Sequence, residues 1–93
     1  MTNVGEWKYQ NMEACKLPQP VEIAFNKAFE GFVGVSYVPV LYVASQVVAG
    51  INYCIICKTT TIVNPPIEGC KIVTIYSDLK GNSHITGIRD VIE

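Results

Sequence analysis

The chain has 93 residues, 49% of them hydrophobic and 16% charged, with a formal net charge of −1. That length suits a single domain over residues 1–93 built on one core, and the apolar content argues against disorder. Seven Lys and Arg, scattered among eight acids, offer no basic face for nucleic acid.

Taken in order, Met1–Gly5 has neither the basic start nor the apolar run of a secretion leader. The chain reads as cytoplasmic if Met1 is the native start and as secreted if a leader was removed. Trp7 to Met12 predicts a short strand. Pro18 and Pro20 forbid its continuation and suit the opening turn of a helix. From Val21 to about Gly34 the apolar residues Val21, Ala24, Phe25, Ala28, Phe29 and Phe32 follow helical spacing, with Glu22, Asn26, Lys27 and Glu30 mostly opposite. Glu22 agrees with the helix dipole, Gly31 weakens the last turn, and Gly34 is the expected terminating residue. The phenylalanines are expected in the core.

Val35 to Val48 predicts a long strand, bent at Pro39, and Ile51 to about Thr61 a second. No charged residue lies between Gly31 and Cys57. A membrane span is not the explanation, because Gly and Pro break the run and Ser36, Ser45, Gln46 and Asn52 interrupt it. Such a low-charge, strand-rich stretch is an aggregation hazard. Alternation puts Tyr53, Ile55 and Cys57 on one face and Asn52, Cys54, Ile56 and Lys58 on the other, with the first set expected to meet the helix. Asn64–Gly69 is a loop, Cys70–Ser77 a strand, Asp78–Asn82 a turn, and Ser83 to about Val91 the last strand. One helix followed by an antiparallel meander is α+β, with a four- to five-stranded sheet wrapped around the helix.

The cysteines are Cys15, Cys54, Cys57 and Cys70. A redox C-x-x-C motif places its first cysteine at a helix N-terminus, where the dipole lowers its pKa, whereas Tyr53–Cys57 reads as strand. A zinc site could recruit Cys70 and His84, but the flanks lack a glycine-bearing knuckle and the pair falls on opposite strand faces. The remaining reading is small buried apolar residues, with a Cys57–Cys70 bridge across neighbouring strands. No metal or cofactor is expected. His84, the only histidine, is expected at the surface, and no nucleophile–base pair marks an enzyme.

Between the two long strands lies Gln46-Val47-Val48-Ala49-Gly50. Gly50 can supply the positive φ of a tight reversal, which puts a hairpin tip at Val48-Ala49-Gly50. Tips normally carry Asn, Asp or Gly, and one offering Val, Val and Ala to water suggests a contact surface. This segment, followed by Asn52-Tyr53, resembles the first hairpin of the cystatins, inhibitors of papain-like cysteine proteases, in their stefin branch. The upstream helix and downstream strands extend the resemblance over most of the chain.

The resemblance implies a cystatin fold and a reversible, tight-binding inhibitor whose partner is a papain-like cysteine protease. The wedge would have three parts: Gly5 with its neighbours, Gln46 to Gly50, and a second hairpin at Asp78–Asn82. That second hairpin departs from the family pattern, since it lacks Pro-Trp and offers only Leu79 as an apolar residue. The resemblance further implies a monomer able to form a domain-swapped dimer through opening of the first hairpin. Two other readings stand beside it: a cystatin-fold binding module with a non-protease partner, and a thiol-based redox or metal protein.

Overall fold

The computed structural model describes residues 6–9 and 16–91. Gly5, Cys15 and the part of the predicted first strand beyond Tyr9 lie outside them. The elements run β1 (Trp7–Tyr9), α1 (Gln19–Ala28), β2 (Val35–Val48), β3 (Gly50–Thr61), β4 (Glu68–Ser77) and β5 (Ser83–Asp90). The five strands form one antiparallel sheet in the order β1-β2-β3-β4-β5. Helix and sheet together are α+β, as the sequence implies. No helix among the described residues is long and apolar enough to cross a membrane.

Pro18 and Pro20 open α1 as expected. The Pro18 carbonyl accepts from the backbone N–H groups of Val21 and Glu22, both at 3.0 Å. Val21, Ala24 and Phe25 form its buried stripe. The helix ends at Ala28 rather than near Gly34. Gly31 and Gly34 both adopt the left-handed conformation, at φ +84° and +88°, and the chain turns away at the first of them rather than at Gly34. Phe32 is therefore carried off the helical stripe and is 48% exposed, which corrects its expected place in the core. It keeps apolar company: the Phe25–Phe29, Phe29–Tyr37 and Phe29–Phe32 ring centroids are 4.6, 4.7 and 5.0 Å apart.

In β3 the predicted alternation holds. Tyr53, Ile55 and Cys57 are buried on the face that meets α1. Val73 and Ile75 of β4, opposite Ile55 and Tyr53, complete that inner face, and α1 approaches most closely over β4 and β5. In β2 the register shifts after Pro39, which has no N–H to give the ladder, and again between Tyr42 and Ala44. The first shift turns Tyr42 into the core, and the second turns Ala44 to the outer face, between Tyr9 and Cys54.

The predicted Cys57–Cys70 bridge is not formed. Cys57 stands opposite Lys71 on the inner face, whereas Cys70 stands opposite Lys58 on the outer one, and Cys54, Cys57 and Cys70 are free thiols. A sheet side chain cannot reach its diagonal neighbour through the backbone plane.

The two faces predict different mutational costs. Ile55→Ala, at a site with no solvent exposure, should lower unfolding free energy by about 2–5 kcal/mol. Ile56→Ala on the half-buried outer face should cost less than half as much. Urea unfolding of the two variants checks this; equal costs would mean the outer face is packed as tightly as the inner.

Candidate functional site

A consecutive antiparallel meander returns its alternate connections to the same end of the sheet. The β2–β3 and β4–β5 reversals therefore lie together, and the 62–67 loop lies at the far end. The first reversal is very short. Val48 still pairs with Gly50, leaving Ala49 alone outside the ladder. Val47 and Val48 are 57% and 37% exposed, and Ala49 is exposed. Strand alternation points Val47 to the inner face and Val48 to the outer one.

Below the tip, Val47 and Ile51 pair across the hairpin and line an open groove of about 320 Å³ with Pro18, Pro20, Tyr42 and Tyr53. Gln46 is half-buried, opposite Asn52, whose Nδ2 donates to Gln46 Oε1 at 2.9 Å. This bond ties the two arms of the hairpin one pair below the valines.

Gly50 is buried at φ +121°. A Cβ there would strike the Ser77 carbonyl oxygen and come within 2.9 Å of the Tyr76 ring. The backbone thus approaches β4 more closely than any side chain permits. The Tyr76 hydroxyl donates a hydrogen bond to the Ala49 carbonyl. Its ring meets His84, exposed on β5, at a centroid distance of 5.5 Å.

The second reversal is organised by Asp78. Its carboxylate accepts from the backbone N–H groups of Lys80 and Asn82, both at 2.9 Å, and from Asn82 Nδ2 at 3.2 Å. The Asn82 backbone donor chiefly holds the Asp78 carboxyl below its ordinary range, desolvation opposing it and the Asn82 side chain and the Lys80 and Gly81 amides adding to it. Lys27 Nζ of α1 donates to the Gly81 carbonyl at 2.9 Å, fastening this turn to the helix. Leu79 projects from it and is 84% exposed.

Of the sequence-predicted site residues, Gln46, Val47, Val48, Ala49 and Gly50 thus share one end of the molecule with Leu79. Gly5 lies outside the described residues. Trp7, opposite Gln46 in the β1–β2 register and 43% exposed, leads the N-terminal strand toward the same end. Tyr76 was missed by the sequence reading. Its role depends on pairing between strands remote in sequence, and no local pattern carries that information.

The thiols stand apart from this end and from one another. Cys54 faces outward and Cys57 inward on one strand, so the two cannot act as a dithiol. Burial pushes the Cys54 thiol up, with Arg89 pulling the other way. Burial chiefly, with Cys70 adding to it, pushes Cys57 up to about 12. A protonated thiol is a poor nucleophile and a poor metal ligand. Among the described residues no group of three or more His, Cys, Asp or Glu could hold a metal.

Comparison of the chain with known protein families, with curated proteins and with solved structures finds no match.

The burial of Cys57 makes stability depend on pH. The folded state binds its proton more tightly than the unfolded chain. The resulting stability is complete below the unfolded pKa of about 8.5 and is lost as pH rises toward the folded value. Unfolding free energy should fall between pH 9 and pH 11, and Cys57→Ala should flatten that slope. In the folded protein at pH 8, exposed Cys70 should react with an aromatic disulfide while Cys57 waits for unfolding. Rapid labelling of Cys57 would show an open core.

Proposed function

We propose that this chain has a cystatin fold of the stefin type and acts as a reversible inhibitor of papain-like cysteine proteases. The observation that carries the reading is the exposed apolar reversal at Val47–Ala49, standing beside a second reversal that presents Leu79. Both rest on consecutive strands of one antiparallel sheet, so the pair can enter an apolar cleft as one rigid edge. Chemistry by the inhibitor is not required, and no nucleophile or base is assigned.

Binding is by burial and shape. Valine and alanine lose little rotamer entropy when covered. Each fully buried valine contributes about 1.5–3 kcal/mol before the cost of association is subtracted. The backbone at Ala49 doubles back between paired Val48 and Gly50. It cannot extend along a protease cleft as a substrate does without losing that register, so the enzyme's thiolate meets no cleavable bond.

A binding module of the same fold with a different partner is the second reading. Phe32, Val33, Ile62, Val63 and Ile67 favour it: all are exposed, and the Ile62 N–H to Gly34 carbonyl bond (2.9 Å) brings their segments together at the far end. Titration against active papain separates the two, since stoichiometric loss of activity is expected only of the inhibitor.

Within the inhibitor reading, Val48→Asp should leave the fold intact and weaken papain inhibition at least tenfold, because an unpaired carboxylate would enter an apolar cleft. Unchanged inhibition by the folded variant would remove the first hairpin from the mechanism. Opening of that hairpin to join β2 and β3 into one strand would exchange α1 and the first strands between two chains, recreating the same core. Heating or high concentration should therefore yield a slowly formed dimer with little inhibitory activity. Assays of separated size-exclusion fractions test this; a dimer as active per chain as the monomer would mean that the hairpin survives and pairing uses another surface.

A further inference from the structure

We infer that Tyr76 is the positioning residue of the first hairpin, holding the exposed tip in one conformation from a strand outside the hairpin. The inference rests on the inhibitor reading for its consequence, and on local geometry for the hold itself.

Ala49 is the single residue of the reversal outside the β2–β3 ladder, since Val48 already pairs with Gly50. Its carbonyl has no cross-strand N–H to meet, and the Tyr76 hydroxyl supplies the donor. The next residue, Gly50, lies so close that a Cβ would stand 2.9 Å from both the ring edge and the hydroxyl of Tyr76. One tyrosine therefore provides both the donor for residue 49 and the wall against which residue 50 is seated. Glycine at 50 and tyrosine at 76 are two halves of one fitting.

Tyr76 is itself braced. In the sheet register Gln46, Asn52, Tyr76 and His84 stand directly opposite one another across β2, β3, β4 and β5. Asn52 bonds Gln46 on one side of the row, and the His84 ring backs the tyrosine on the other. A tip made of two strand ends alone would sample open conformations. The fraction of time spent open would lower the apparent affinity in proportion. A tip fixed in advance avoids that loss.

Tyr76→Phe keeps the ring and removes only the donor. In that variant the Ala49 carbonyl carbon resonance should move in the direction of a lost hydrogen bond. The Ala49 and Gly50 amides should exchange about three- to tenfold faster, the value of one ordinary hydrogen bond. Papain inhibition should weaken by the factor by which the closed fraction of the tip falls, up to about tenfold, while the thermal midpoint stays close to wild type. Replacing Tyr76 with 4-aminophenylalanine, whose amine can donate to the same carbonyl, should restore both resonance and inhibition, which a merely structural role for the ring would not require. Wild-type resonance and exchange in Tyr76→Phe would overturn the hold. A loosened tip with unchanged inhibition would overturn its consequence for binding. Failure of the wild-type chain to inhibit papain would instead sink the inhibitor reading, with the carbonyl shift and exchange rates still deciding whether Tyr76 holds the tip.

Discussion

Ile55, Cys57, Val73 and Ile75 are sealed from solvent beneath Val21, Ala24 and Phe25 of α1. Because side chains alternate along a strand, that closure fixes more than a core. Sliding β3 against β4 by one residue would expose Ile55 and Cys57 and bury Cys54, Ile56 and Lys58 in their place. The helix thus sets the register of the central strands, and the register sets where each turn falls. Val48 opposite Gly50, and Ser77 beside them, follow from the same alignment.

With the register fixed, the two reversals at this end of the sheet are built by different means. The second is polar and self-contained: Asp78 satisfies the amides of its own turn, and Lys27 anchors the far side. The first has no polar side chain at its tip and borrows its order from Tyr76 and from the close seat of Gly50. An apolar tip that needs outside support fits the proposed contact surface, since a self-capping Asn or Asp would put polar groups at the tip.

The thiols show how much burial alone decides. Cys54 and Cys57 have the spacing of a reactive pair, yet the pleat sends them to opposite faces, and burial keeps Cys57 protonated. Cys70, three strand positions from Val73 and exposed, meets Lys58 rather than Cys57. The C-x-x-C spacing means a dithiol only where the backbone is helical enough to bring the two sulfurs together.

The long strands, the proline-opened helix and the apolar tip at Val48–Gly50 were legible in the sequence because each depends on neighbours a few residues apart, whereas β4 begins at Glu68, inside the expected Asn64–Gly69 loop. Alternation in Tyr53–Cys57 was enough to name the inner face of β3. The helix end was misjudged because the apolar spacing runs on to Phe32, while Gly31 ends the helix by backbone conformation rather than by hydrophobicity. The Cys57–Cys70 bridge failed for a related reason: proximity of strands says nothing of register, and one residue of offset puts a side chain through the sheet. By itself the sequence determined the element order, the helix-facing residues of β3 and an apolar reversal about Gly50. Only the tertiary structure decided that Leu79 shares its end, that Gly50 must lie against Ser77, and that Tyr76, twenty-seven residues from Ala49, holds its carbonyl. Those contacts join strands distant along the chain, and their geometry comes from the packing of the whole sheet on α1, which no local run of residues encodes.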